Sequence, residues 1–149
     1  MRTQGISLEM LEWKHWQTGH DYDFHLDDEV LRVKELVKSE QFRIVAKSVG
    51  TLVSAAFILE TSRVPDKLVW LGVPLADLTP AEQDYYLQLL HNYPDLPIGI
   101  LQNATDPHGS FKMVKDFMTQ VRPEIEITET DRSDHHYPFY EQIHQLLIG

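Results

Sequence analysis

Cysteine is absent from the 149 residues. That excludes disulfides, thiolate zinc sites and cysteine nucleophiles together. It also fits a reducing compartment, so a cytoplasmic protein is expected. Basic residues are scarce: 13 Lys and Arg stand against 23 Asp and Glu, for a formal charge of −10. Such a chain repels phosphate backbones and anionic bilayer surfaces, so neither a nucleic acid nor a membrane is expected as a partner. Long apolar runs are missing too. The longest, residues 52–59, is interrupted by Ser54 and falls far short of the roughly 20 residues that span a bilayer. The opening Met1-Arg2-Thr3-Gln4-Gly5 lacks the apolar stretch of a signal peptide. No G-x-G-x-x-G and no P-loop occurs, so nucleotide binding has no motif to rest on. What is present is the mix of a globular protein, 42% hydrophobic and 24% charged residues. The length suits a single domain over 1–149 with a sizeable core.

Short β-branched runs alternate with longer stretches of helical spacing. Residues 8–13 alternate partly and predict a first strand. A polar loop rich in His and Asp follows. Leu26, Val30, Val33 and Val37 then recur at helical spacing, with Asp27, Asp28 and Glu29 at the start and Lys34 and Lys38 near the end, as the helix dipole prefers. Residues 42–46 predict a second strand, and residues 49–59 a helix apolar enough all round to be buried. Residues 67–71 predict a third strand. Thr79-Pro80-Ala81-Glu82 is the clearest helix start, with an N-cap, a proline at the first helical position and a capping box. Residues 97–102 predict a fourth strand, and Phe111, Val114, Phe117 and Met118 one face of a helix. Ile125, Glu126 and Ile127 alternate as a last strand, and Pro138 opens a final helix with Phe139, Ile143, Leu146 and Leu147 toward the core. Five strands alternating with five helices predict an α/β, three-layer sandwich around a mostly parallel sheet with right-handed crossovers. Trp13 and Trp70 are expected as core residues, and Tyr85, Tyr86, Leu89 and Leu90 as a helix face.

In such sheets ligands bind beyond the carboxyl ends of the strands. After the second strand comes Ala46-Lys47-Ser48-Val49-Gly50. A serine between a buried strand and a buried helix must turn sharply, with small residues two before and two after. Ala46 and Gly50 meet that demand. The turn pushes the Ser48 hydroxyl outward and leaves the Val49 N–H at a helix N-terminus, where it can stabilise a developing oxyanion. The competing reading is an ordinary N-cap serine. After the fourth strand Asp106 can accept Nδ1–H from a histidine and fix its tautomer, or simply mark a turn before Pro107. After the fifth, His135 or His136 can take the proton from Ser48 and return it to a leaving group, or stand as solvated loop histidines. The joint pattern favours chemistry, because serine, aspartate and histidine each follow a different strand at one rim.

The segments "FRIVAKSVGTLVS", "PIGILQNATDPHGS" and "DRSDHHYPFYEQI" carry these residues in the order Ser…Asp…His. On them the chain resembles the α/β-hydrolase fold family, in its small lidless single-domain form, from about residue 10 to residue 147. The resemblance implies a reduced α/β-hydrolase fold and a serine hydrolase acting on a small-molecule ester, thioester or amide, with no cofactor and no metal. Ser48 would be the nucleophile, His135 the general base and acid, Asp106 its orienting group and Val49 N–H one oxyanion donor. The family's histidine commonly stands in an Asp-His or Asn-His dipeptide, which favours His135 over His136. Two departures stand out. Ala46 replaces the first elbow glycine. Family members also have further strands before the one placed at residues 8–13, one of them ending in a His-Gly loop that gives a second oxyanion donor. No such loop precedes Ser48. Either Met1 lies downstream of the family's usual start, or the domain is reduced and uses another donor. The alternative function is a non-catalytic interaction or ligand-binding module on the same scaffold, which the missing loop favours. A shortened sheet would also expose an edge strand and favour a homodimer.

The first long loop holds His15, His20 and His25 with Asp21, Asp23 and Asp27. Their spacing fits neither a helix nor a strand face, so a solvated acidic loop is expected ahead of a metal site. Because that loop leaves the carboxyl end of the expected first strand, His15, Trp16 and Tyr22 are candidates for lining the substrate pocket. Residues 73–79 are expected to form another wall.

Overall fold

The computed structural model describes residues 8–11 and 24–149. The chain divides into two compact units, residues 1–38 and residues 39–149. In the first, helix α1 spans Leu26–Leu36, with Asp27, Asp28 and Glu29 in its first turn and Lys34 in its last. Its buried residues are Glu29 and Val30, and the Arg32 guanidinium lies 3.0 Å from the Glu29 carboxylate. The strand expected over residues 8–13 is not formed where it is described. Residues 8–11 have no regular structure, and Leu8 and Met10 are 82% and 79% exposed. Partial alternation does not make a strand unless a neighbour pairs its backbone N–H and C=O groups, and residues 8–11 have none among the described residues. Residues 12 and 13 lie outside the described residues.

The second unit carries the alternation of strands and helices. Strands β1 (Arg43–Lys47), β2 (Lys67–Leu71), β3 (Ile98–Asn103) and β4 (Glu126–Thr130) form a wholly parallel sheet in the order β1-β2-β3-β4. Among the described residues the sheet therefore has four strands, where the sequence predicts five. Helices α2 (Val49–Thr61), α3 (Pro80–Asn92) and α4 (Phe111–Thr119) link successive strands, and α5 (Tyr140–Ile148) follows the last. Right-handed crossovers between neighbouring parallel strands put the three linking helices on one face.

That face is the heavier one. Helix α2 is apolar on all sides, and every residue from Gly50 to Ile58 is buried. Trp70 of β2 points into it, donates Nε1–H to Ser54 Oγ at 2.9 Å and meets the edge of Tyr86 of α3 at 5.2 Å between ring centres. Each fully buried Leu, Ile or Phe of this layer contributes about 1.5–3 kcal/mol. The start of α3 matches its sequence signature. Thr79 Oγ1 accepts Glu82 N–H at 3.2 Å, and Glu82 Oε1 accepts Thr79 N–H at 2.9 Å. On the opposite face Val69, Leu71, Leu101 and Tyr137 form a cluster covered by Phe139, Ile143, Leu146 and Leu147 around α5. Gly99 lets α5 approach, since a Cβ there would stand 3.0 Å from Leu146 Cδ2. The result is an α/β architecture of helices, parallel sheet and helix in three layers. Among the described residues no helix is long and apolar enough to cross a membrane.

Candidate functional site

All four strands run the same way, so the turns after β1, β2, β3 and β4 share one edge of the sheet. Ser48 joins β1 directly to α2 and has φ +55° and ψ −128°. This is a strained conformation for a residue with a Cβ, costing about 1–3 kcal/mol. Ala46 and Gly50 are both buried, as the sharp turn requires. The Ser48 side chain makes no capping hydrogen bond, which separates this turn from an ordinary N-cap serine. Instead the backbone is held. Ser48 N–H donates to Leu71 C=O at 2.9 Å, and Ser48 C=O accepts Thr51 N–H at 2.9 Å and Thr51 Oγ1–H at 2.7 Å. Val49 N–H belongs to the first turn of α2, where amides lack an intrahelical acceptor and face outward.

Asp106 lies in the turn after β3, with its side chain fully buried. Three donors converge on it. His135 Nδ1 and Tyr137 Oη each lie 2.7 Å from Oδ2, and His108 N–H donates to Oδ1 at 2.8 Å. A carboxylate only accepts, so His135 carries its hydrogen on Nδ1 and the Nε2 lone pair is left for chemistry. That Nε2 is buried and has no hydrogen-bond partner among the described residues. His136 is exposed and turns its main chain, not its ring, toward the site: its C=O accepts Asn103 Nδ2–H at 2.9 Å. The imidazole that reaches the carboxylate is therefore that of His135.

The two halves meet at Gly72, immediately after β2. Leu71 C=O binds Ser48 N–H, and the next residue, Gly72, faces the histidine. Gly72 has φ +62°, and a Cβ there would stand 3.1 Å from His135 Cε1 and 2.5 Å from Tyr137 Cε2. Only glycine fits both the backbone angle and the space. No hydrogen bond joins Ser48 Oγ to His135 Nε2.

Several residues of the site are not singled out by the sequence pattern. Tyr137 accepts Asn103 N–H at 2.9 Å while donating to Asp106. Burial, reinforced by the Asp106 carboxylate, holds its phenol protonated far above the usual tyrosine range. Gln102 is wholly buried and clamps two loops. Its Oε1 accepts Val73 N–H at 2.9 Å, and its Nε2–H donates to Gly109 C=O at 2.6 Å. A signal for it existed: Gln102 shares a strand face with Ile98 and Ile100, and a polar residue there must find partners. Asn103 Nδ2–H also donates to Asp134 C=O at 2.8 Å, and Thr130 Oγ1–H donates to Asn103 Oδ1 at 2.6 Å, so this residue ties the β4 loop to β3. The Arg132 guanidinium, which donates Nε–H to Asp134 Oδ1 at 2.9 Å, lowers the carboxyl of that exposed loop residue to about 2. The segment after β2 contains a short 3₁₀ turn, Leu75–Asp77. Asp77 bonds His108 Nδ1, and the His108 ring stands 4.4 Å from that of His135. The remaining candidates, His15, Trp16 and Tyr22, lie outside the described residues, as does His20. Comparison with protein-family models, with curated proteins and with solved structures finds no significant match for the chain.

Proposed function

We propose that the protein is a serine hydrolase on a reduced α/β-hydrolase fold, cleaving a small-molecule ester, thioester or amide. The observation that carries this reading is the buried Asp106–His135 pair with an Nε2 unpartnered among the described residues, at the same edge of the sheet as a serine in a strained turn. Ser48 Oγ attacks the substrate carbonyl carbon, and its proton passes to His135 Nε2. The oxyanion develops toward Val49 N–H. The bond to the leaving alcohol, thiol or amine breaks as Nε2 returns the proton to it. Water then attacks the acyl-enzyme, giving its proton to Nε2, and the acid leaves as Ser48 regains its hydrogen. Asp106 accepts Nδ1–H throughout and holds the imidazole in the required tautomer.

A fluorophosphonate probe tests this directly. Covalent labelling of the wild type, and none of a folded Ser48→Ala variant, is the expected outcome. Absence of labelling in both, with the fold intact, refutes the enzyme. A second reading, a non-catalytic module on the same scaffold, is favoured by the missing direct Ser48–His135 hydrogen bond. The same probe separates the two.

A further inference from the structure

Beneath the Ser48 turn lies a short line of hydroxyl groups reaching into the core. Thr51 Oγ1–H donates to Ser48 C=O at 2.7 Å, and Tyr86 Oη lies 2.7 Å from Thr51 Oγ1. Counting hydrogens settles the direction between the two hydroxyls. Thr51 has one hydroxyl hydrogen and spends it on the carbonyl, so Tyr86 must be the donor. Tyr86 is completely buried, and burial keeps its phenol protonated well above the usual range, so the donor hydrogen is retained. The ring is fixed edge-on against Trp70, and Trp70 is fixed in turn on Ser54. The carbonyl at the end of this line belongs to the one residue that both links β1 to α2 and adopts a strained positive φ. Its peptide unit also carries Val49 N–H, on the other side of the same bond. Rotation of that plane would move the nucleophile's backbone and the oxyanion donor together.

We propose that Tyr86 and Thr51 are positioning residues, a buried donor relay that locks the Ser48–Val49 peptide plane and so aims both the nucleophile and its oxyanion N–H. The proposal rests on the hydrolase reading for its catalytic consequence, but the lock itself is a property of the backbone. A chain of hydroxyls polarises along its length, so each donor strengthens the next. A displacement of about 1 Å at a reacting group costs about 10²-fold in rate, so a modest slip of this plane is measurable.

The test compares Thr51→Val, which keeps the shape and removes the donor, with Thr51→Ser, which keeps the donor. Fluorophosphonate labelling should slow by about tenfold or more in Thr51→Val and by about threefold or more in Tyr86→Phe, and should stay within about twofold of wild type in Thr51→Ser. Ser110→Ala is the control. It removes the N-cap of α4, where Ser110 Oγ accepts Met113 N–H at 3.2 Å, and should lower the melting temperature while labelling stays within about twofold of wild type. Amide hydrogen exchange supplies a readout independent of activity. The N–H groups of residues 48 and 51 should exchange about tenfold faster in Thr51→Val, with those of residues 100 and 101 in β3 unchanged. Labelling that tracks melting temperature across all four variants, or unchanged exchange at 48 and 51, overturns the relay. If the wild type is not labelled at all, the hydrolase reading fails, and the exchange measurement alone still decides whether the lock exists.

Discussion

Around Asp106 three donors converge on one buried carboxylate, whereas around Ser48 the side chain makes no hydrogen bond among the described residues and the backbone carries the constraint. The first half keeps its order in side-chain hydrogen bonds drawn from the turns after β3 and β4. The second keeps it in a strained turn, two main-chain hydrogen bonds and a pair of small flanking residues. On the proposed hydrolase reading, the difference follows from what each group would have to do. A base must hold one ring in one tautomer, which needs a fixed acceptor behind it. For a nucleophile it is the backbone that must be fixed, so that its hydroxyl stays available to the base alone.

This contrast can be broken at three points. The largest effect is expected from Asp106→Asn. An amide has one acceptor oxygen where three donors now converge, and its N–H₂ turned toward His135 selects the wrong tautomer. Turnover of an activated ester should fall by about 10⁴-fold with the fold retained by circular dichroism. Unchanged turnover would place the base elsewhere. Next is Gly72→Ala, where the two halves touch. The added Cβ meets Tyr137 at 2.5 Å on a backbone at φ +62°. Overpacking and left-handed strain together should cost about 2–4 kcal/mol, measured by urea unfolding. Wild-type stability would mean that the contact relaxes freely and does not couple the halves.

The smallest effect uses pH. Each half has one buried phenol, Tyr137 and Tyr86, and burial raises both above the ordinary value of 10.0. Unfolding releases them to ionise near 10.0. Above that pH the unfolded chain binds fewer protons than the folded one, so stability falls as pH rises, by about 1.4 kcal/mol per pH unit for a fully buried phenol. Below it this contribution is fully present. Melting temperatures between pH 9.5 and 11 should therefore decline, and Tyr86→Phe and Tyr137→Phe should each flatten the decline. A variant whose slope matches that of the wild type would show that its half opens locally before the rest unfolds.

Much of the second unit was legible along the chain. The capping box at Thr79, the all-apolar α2 and the continuous apolar β2 each depend on residues a few positions apart, and each appears where expected. Residues 8–11 were misread for a related reason. Leu8 and Met10 alternate with Glu9, but pairing is a property of the neighbouring strand, and among the described residues none pairs with them. In the site, the order Ser48, Asp106, His135 could be read from residues following three different strands, and of the adjacent pair His135-His136 the Asp-His dipeptide favoured the first. The structure places the His135 ring on Asp106. Tyr137 and Gln102 carried no sequence motif, because a tyrosine after two histidines and a glutamine ending a strand are common.

The sequence by itself determined the elements of the second unit and the rim at which its serine, aspartate and histidine collect. Helix caps, apolar periodicity and the demand for small residues around a sharp turn are local rules, written within a few residues of where they act. Only the tertiary structure decided which groups meet. The phenol of Tyr137 on Asp106, the hydroxyl line from Tyr86 to Ser48 and the ring of His108 against His135 join segments far apart in the chain. Their contact depends on strand register and on how closely α3 and the β4 loop approach the sheet, distances that no local rule contains.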